Sequence, residues 1–392
     1  MPNILTINSG SSSIKIAVYN CDADPEQILS AKLEGVGSKK VSFSAHQNGN
    51  EIKPEFKAES FKEAIESLLH WIERQDWFNN INAVGHRVVH GMKHTQAEII
   101  SDGLLQELNS IANYDPDHLP AEIQSIQAIQ KKYPTLLQIA CFDTAFHTTI
   151  PTIAKTFAIP KKYTYEGVQR YGFHGISYSY LMQELAKQNA EKSIGRVILA
   201  HLGSGASIAA VKNGKCIDTS MGFTPAGGIV MSSRSGDVDP GVAWYLMQKG
   251  MDAKGFNNLI NHQSGLLGIS GTSADIKDLL EQEKGNADAA LAIDIFCYQI
   301  IKFIGAYIAA LGGLDILVFS GGIGENAGII RSRICGAFGY VNLFIDEEKN
   351  NKNGREISAN SSKIKVYVIP TNEELMIAGT TAGLYKQHVH SS

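Results

Sequence analysis

Four short stretches combine imidazole, guanidinium or carboxylate groups with glycine: Gly85-His-Arg-Val-Val-His-Gly91, Phe142-Asp-Thr-Ala-Phe-His147, Arg170-Tyr-Gly-Phe-His-Gly175 and Met231-Ser-Ser-Arg-Ser-Gly-Asp237. Each borders an apolar run, which places it at the end of a strand or helix. Arg87 carries a planar fork that matches the oxygens of a carboxylate or a phosphate; a structural ion pair would use the same fork. Asp143 ends the strand-like run 136–142 and reads either as a reacting carboxylate or as a cap. His174 directly precedes a helical pattern of Tyr178, Leu181, Met182 and Leu185. A helix start attracts anions, and a histidine there can donate to them; a core histidine is the alternative. Arg234 lies in a Ser/Gly loop ahead of Asp239-Pro240-Gly241, where a helix begins, and otherwise reads as a solvated loop arginine. His86 and His90 have the i, i+4 spacing of zinc ligands. The intervening Arg87-Val88-Val89 is β-branched and strand-like, and the helical H-E-x-x-H pattern is absent, so no metal site is expected there.

These groups need a ligand, and the glycine-rich turns say what kind. Residues 4–15 read Ile-Leu-Thr-Ile-Asn-Ser-Gly-Ser-Ser-Ser-Ile-Lys, a strand, a tight turn carrying Gly10 and Ser11–Ser13, and a second strand beginning near Lys15. Small residues let backbone N–H groups approach an anion, and lysine adds a point charge. An ordinary Ser/Gly turn would look similar. The order recurs at residues 197–211, Val-Ile-Leu-Ala-His-Leu-Gly-Ser-Gly-Ala-Ser-Ile-Ala-Ala-Val, with His201 at the place of Asn8 and, after a one-residue shift, Ser207-Ile208 matching Ser13-Ile14. Two such hairpins point to two copies of one domain type. A third glycine-rich turn, Ser320-Gly-Gly-Ile-Gly-Glu-Asn326, ends the buried-strand run 316–319. Neither a Rossmann G-x-G-x-x-G nor a Walker G-x-x-x-x-G-K-[ST] is present.

The elements that position these groups alternate between strands and helices. Asn48-Gly49 marks a hairpin. Ser60-Phe-Lys-Glu63 is a capping box opening a helix with Phe61, Ile65, Leu68, Leu69 and Ile72 on one face. Pro120 marks a helix start ahead of Ile123, Ile126 and Ile129. The stretch 287–314 is the most apolar; Asp294 and Lys302 interrupt it, so a buried core helix is expected rather than a membrane span. Residues 346–363 are polar and read as an exposed loop or hairpin. At 392 residues the chain exceeds one ordinary core. A net charge of −4 offers no basic field for nucleic acid or an anionic membrane. Five dispersed cysteines without C-x-x-C fit a reducing, cytoplasmic setting. Polar Asn8 arrives too early for a signal peptide.

Eight strings, in order along nearly the whole chain, resemble the acetate kinase family, which also holds propionate and butyrate kinases. They are Asn8-x-Gly-Ser-Ser-Ser-x-Lys15, His86-Arg-Val-Val-His-Gly91, Phe142-Asp-Thr-Ala-Phe-His147, Tyr171-Gly-Phe-His-Gly175, Gly222-Phe-Thr-Pro225, Arg234-Ser-Gly-Asp237, Gly322-Ile-Gly-Glu-Asn326 and Thr371-Asn-Glu-Glu-Leu375. The resemblance implies an α/β fold of two duplicated ribonuclease-H-like domains of the actin-like ATPase type, flanking a cleft that closes to exclude water. The N-terminal domain would be 1–147 plus 376–392, including a returning last helix near 376–386; the C-terminal, nucleotide-binding domain would be 148–375. A homodimer is implied.

Carried over by position, the resemblance implies that Asn8 and Glu373 hold Mg²⁺ or Mn²⁺, with Glu374 the competing acid. Lys15, His201, Leu202, Gly203, Ser204, Gly205, Asp275, Ile276, Lys277, Gly322, Ile323, Gly324, Glu325 and Asn326 would bind ATP. Arg87 would take the acyl carboxylate, and Asp143, His174 and Arg234 would surround the transferring phosphoryl group. Val89, His118, Phe173 and Pro225 would serve the acyl pocket. Three places depart from the family pattern: Ser204 stands where asparagine is common, Lys277 where arginine is usual, and Tyr114-Asp-Pro-Asp-His-Leu-Pro120 where many members read Ala-Pro-Leu-His-Asn-Pro. Asp117 thus replaces an apolar pocket residue. The implied reaction is reversible, direct in-line transfer of the ATP γ-phosphoryl group to acetate. Propionate or butyrate kinase is the near alternative; a sugar kinase, or a non-catalytic ATP switch, is the distant one.

Overall fold

The computed structural model describes residues 2–10, 13–21, 25–36, 41–47, 49–54, 56, 58–188 and 195–391. The chain divides into two compact units, Met1–Ala145 with Asn372–Ser392, and Phe146–Thr371.

Unit 1 is built on an eight-stranded sheet: β1 (Asn3–Ser9), β2 (Ser13–Asn20), β3 (Glu26–Glu34), β4 (Ser42–Gln47), β5 (Asn50–Ile52), β6 (Ile81–Val88), β7 (Glu98–Ile99) and β8 (Leu137–Phe142). Its order is β5-β4-β3-β2-β1-β6-β8-β7. Strands β1 to β5 pair antiparallel, while β1–β6 and β6–β8 are parallel. Central β1 is buried on both faces, which is why its sequence reads as an apolar run rather than an alternation. Helix α1 (Phe61–Glu73) starts at Ser60, whose hydroxyl accepts from Glu63 N–H, and buries Ala64, Ile65, Leu68, Leu69 and Ile72. The Glu63 carboxylate reaches back to Glu59 N–H at 2.9 Å, one residue before the cap. Each buried Ile or Leu of this helix contributes roughly 1.5–3 kcal/mol. Helices α2 (Asp102–Ser110) and α3 (Leu119–Lys132) follow, the latter with Pro120 in its first turn. Gly49 takes the left-handed conformation a hairpin turn needs, at φ 78°; Asn48, Ser11 and Ser12 lie outside the described residues.

The last helix, Glu373–Ser391, packs on β6, β1 and β8. Gly85 permits this: a Cβ there would come within 2.2 Å of Thr381 Oγ1 and 2.6 Å of Ile377 Cγ2.

Unit 2 repeats the theme with β9 (Arg196–Leu202), β10 (Ala206–Lys212), β11 (Lys215–Thr219), β12 (Ile316–Ser320) and β13 (Lys365–Val368), in the order β11-β10-β9-β12-β13. The first three are antiparallel; β9–β12 and β12–β13 are parallel. Matching β1 to β9, this is the β3-β2-β1-β6-β8 arrangement of unit 1, so both units carry the ribonuclease-H-like core.

Helix α4 (Gly175–Gln188) buries Tyr178, Leu181 and Leu185. Helix α5 (Pro240–Gln248) is capped by Asp239, and α6 (Ile276–Gln282) by Asp275. Helix α7 (Ala287–Leu311) is long and apolar enough to cross a membrane by length and composition. In unit 2 it instead buries Ala292, Ile293, Phe296, Ile300 and Ile304 and packs on β10 and α6.

The stretch 346–363, expected as an exposed loop or hairpin, is mostly exposed or half-buried but also carries a short helix and buried residues. Helix α10 (Glu347–Asn351) follows α8 (Gly321–Asn326) and α9 (Gly328–Gly336), and Asn350 and Ile357 are fully buried. The cause is Arg331, itself fully buried, which donates to the side chains of Asn350 and Asn353, each at 2.7 Å. Polar residues here serve as acceptors for an interior guanidinium.

Candidate active site

In unit 1 the carboxyl ends of three neighbouring parallel strands deliver the candidate residues to one sheet edge. Asn8 is near the end of β1, Arg87 and Val89 are at the end of β6, and Asp143 follows β8. Open α/β sheets characteristically hold ligands at that edge. Side chains alternate along a strand, so Arg87 shares the face of Gly85 against which the last helix lies. That helix therefore brings Glu373, in its first turn, to Asn8: Asn8 Nδ2 donates to Glu373 Oε2 at 3.3 Å.

Arg87 donates from Nε and Nη2 to Asp143 Oδ2, at 3.1 and 2.5 Å, and from Nη1 to Asn8 Oδ1 at 3.1 Å. Asp143 is fully buried and Arg87 mostly so. Burial opposes the Arg87 charge, but Asp143, Glu373 and Glu122 outweigh it and hold the guanidinium firmly protonated. Lys15 pairs with Asn8 across the hairpin, with its side chain exposed.

Glu122, which the sequence reading passed over, belongs to this cluster. It is 2% exposed. Its Oε2 accepts from Val89 N–H at 3.0 Å, and its Oε1 has no hydrogen-bond partner among the described residues. Burial pushes its carboxyl well above the usual range, against the lowering by Arg87 and the Val89 bond. A signal existed: Glu122 interrupts the buried stripe of Leu119, Ile123 and Ile126 on α3. Asp115 is buried too, and His118 Nδ1 meets its Oδ1 at 3.0 Å, whereas Asp117 is only half-buried. His86 is committed to Gln138 at 2.8 Å, and burial pushes its imidazole down to about 4, partly opposed by that bond.

Unit 2 has its own constellation at the equivalent edge, the carboxyl ends of β9 and β12. His174 precedes α4 and takes an unusual positive φ of 59°. Its Nδ1 lies 2.9 Å from Ser207 Oγ. His201, at the end of β9, stacks on it with ring centroids 4.3 Å apart, and its Nδ1 lies 2.8 Å from Ser177 Oγ. Both Nε2 atoms face the glycine loop between β9 and β10. A Cβ on Gly205 would come within 3.2 Å of His174 Nε2 and 3.7 Å of Arg234 Nη1; one on Gly203 would meet Gly205 O at 3.4 Å, Gly322 N at 3.8 Å and His201 Nε2 at 4.0 Å. The missing side chain at Gly205 thus leaves room beside an imidazole nitrogen and a guanidinium, groups that can serve an oxyanion. Ser232 N–H donates to Ser204 O at 3.2 Å, tying the Arg234 loop to this hairpin. Arg234 Nη1 donates to Pro225 O at 3.3 Å.

The remaining nucleotide candidates hold backbone together. Glu325 Oε1 accepts from Gly321 N–H and Thr371 N–H at 2.8 and 3.1 Å, Asn326 bonds Gly322 O, and Asp275 caps α6 by accepting from Lys277 N–H. Ile276 and Leu202 are buried, while Lys277 is exposed. Of the acyl-pocket candidates, Val89 belongs to unit 1, and Phe173 and Pro225 to unit 2; all three are buried.

Among the described residues no group of three His, Cys, Asp or Glu side chains forms a metal cage. Asn8 Oδ1 and the Glu373 carboxylate are hard oxygen donors of the kind Mg²⁺ takes, though here Asn8 turns Nδ2 to Glu373 and its Oδ1 accepts from Arg87.

Comparison with known proteins places this architecture. The acetokinase family model matches residues 3–379. An acetate kinase of Carboxydothermus hydrogenoformans is 41% identical over 97% of this chain and 98% of its own length, and one of Dictyoglomus turgidum is 42% identical over 96% of each. Among solved structures, a propionate kinase from Francisella tularensis is similar with a TM-score of 0.92 at 37% identity, covering 98% of this chain and 100% of that one. Porphyromonas gingivalis acetate kinase gives 0.87 at 36% identity, with the same coverage.

Proposed function

The chain belongs to the acetokinase family, and from that premise we propose that it is an acetate kinase, catalysing ATP + acetate ⇌ ADP + acetyl phosphate by direct in-line transfer. The acceptor, a carboxylic acid of pKa near ~4–5, is already ionised at neutral pH and needs no general base. One acetate oxygen bonds to the γ-phosphorus as the bond to the β,γ-bridging oxygen breaks, and ADP leaves with that electron pair. The protein's work is alignment and charge neutralisation around a loose transition state.

Arg87 exchanges its contacts with Asp143 and Asn8 for the acetate carboxylate, offsetting repulsion between acetate and the phosphates. His174 and Arg234 donate to the equatorial oxygens of the transferring group. Lys15, His201–Gly205, Asp275–Lys277 and Gly322–Asn326 serve ATP; Val89, His118, Phe173 and Pro225 serve the acyl group. Asn8 and Glu373 hold Mg²⁺ or Mn²⁺, which when bound neutralises phosphate charge. Asp143 holds Arg87 before acetate binds and then positions the metal or water beside the transferring group.

The observation that carries this reading is the convergence of His174 Nε2 and Arg234 Nη1 on the space kept open by Gly205. The family's propionate kinase keeps a longer acyl chain as the second reading. Incubation with ATP, Mg²⁺ and hydroxylamine across acetate, propionate and butyrate tests both. Acetyl hydroxamate should form fastest; a propionyl or butyryl maximum moves the substrate, and ATP binding with no hydroxamate defeats the kinase assignment. Chelation should abolish turnover, and Mg²⁺ or Mn²⁺ restore it.

We further propose a cytoplasmic homodimer. Its five cysteines are all free and buried, and α5 presents Val242, Trp244, Tyr245 and Met247 at its surface. Sedimentation equilibrium at twice the chain mass is the expected result.

A further inference from the structure

The hydroxyls around the two histidines are arranged beyond what packing needs. Ser207 Oγ, fully buried, lies 2.9 Å from His174 Nδ1 and 2.5 Å from Tyr178 OH, and Tyr178 is likewise fully buried. Ser207 sits on β10 opposite His201, and Tyr178 one turn into α4, so strand and helix converge on one ring nitrogen of His174. The same helix turn supplies Ser177 to Nδ1 of His201, and Ser177 in turn meets Thr371 Oγ1 at 2.8 Å. Each histidine thus has a hydroxyl at Nδ1, backed by a second hydroxyl, and an Nε2 turned to the glycine loop.

A serine hydroxyl has one hydrogen and must direct it to one of its two neighbours. A phenol is the stronger donor of the two hydroxyls; where Tyr178 donates to Ser207, Ser207 donates to His174 Nδ1. A neutral imidazole whose Nδ1 accepts must carry its hydrogen on Nε2. We propose that Ser207, backed by Tyr178, is a positioning residue that holds neutral His174 in the Nε2–H tautomer, so that its only ring N–H faces the transferring phosphoryl group. The proposal rests on the phosphoryl-transfer reading for the direction in which that hydrogen is useful. No proton moves in the step; the chain of hydroxyls sets where it already is.

The purified full-length chain labelled with ¹⁵N-histidine tests this, with the His174 signals assigned by their loss in His174→Asn. Wild type should show the nitrogen shifts of an Nε2–H imidazole at His174 above its titration. Ser207→Ala should mix the two tautomers and lower kcat roughly 10- to 100-fold, with both KM values held within about twofold, the split expected when only a transition-state interaction is lost. Ser207→Thr should restore the wild-type spectrum and most of kcat, and Tyr178→Phe should fall between, since each change removes or keeps one hydroxyl with little change of shape. An Nδ1–H signature in wild type, or an unchanged spectrum and kcat in both Ser207→Ala and Tyr178→Phe, overturns the proposal. If wild type makes no acyl hydroxamate, the reaction assignment falls instead, and the tautomer measurement still decides this one.

Discussion

Arg87 illustrates how little a residue type says before its neighbours are known. Its fork suits a substrate carboxylate, yet here it is held by Asp143 and Asn8, so the ion pair and the binding role are two states of one group. Arg234 is simpler. It is half-buried beside Gly205, with a weak contact to Pro225 O. Arg234→Ala should lower kcat by about 10³-fold or more, the range for an arginine at a phosphoryl transition state, with an unchanged melting temperature; full turnover would remove it from the site. Gly205→Ala places a methyl group 3.2 Å from His174 Nε2 and should weaken ATP binding in calorimetry. Glu373 and Glu374 are adjacent acids and equivalent in a sequence; helix phase puts Glu373 against Asn8, which supports its proposed place at the metal.

The two glycine hairpins were legible as elements, but their register was not. Asn8 pairs with Lys15, and His201 pairs with Ser207. Because the second loop is one residue shorter, Ser207 holds the place of Lys15, not of Ser13 as the string match had it. In one copy that place carries a cation; in the other, a hydroxyl that serves a histidine. Helix α3 hides a second such surprise in Glu122. Its carboxyl is pushed up by burial, so the folded state holds the proton more tightly than the unfolded chain. Its contribution is therefore complete below the ordinary glutamate range and is lost as pH rises toward the raised value. Glu122→Gln keeps an acceptor for Val89 N–H and removes the titration, so it should raise the melting temperature at pH 8 more than at pH 5. A larger gain at pH 5 would contradict that assignment. In the polar stretch after residue 345 the burial of Asn350 was not legible, because local polarity does not reveal an interior partner such as Arg331.

For the whole molecule, acid stability follows from two interior histidines, one per unit. Burial holds His86 and His147 near 4, well below the ordinary imidazole value, partly opposed by hydrogen bonds to Gln138 and to the Phe173 carbonyl. Both must be neutral to stay folded, so the unfolded chain binds more protons between about pH 6.5 and 4 and stability falls as pH drops through that window. Protonating each in the folded chain costs on the order of 3 kcal/mol relative to the unfolded chain. Thermal unfolding should show its steepest loss there, and His86→Gln should flatten it. Sequence alone determined the apolar runs, the glycine turns, the helix caps and the family, because strand burial, positive φ and capping are set by residues a few positions apart. Only the tertiary structure decided that Asn8, Arg87, Asp143 and Glu373 meet, that Ser207 backs His174, and that Glu122 and Arg331 lie inside. Those facts depend on strand order, register and helix phase, which arise from contacts between residues up to 365 positions apart rather than from neighbours in the chain.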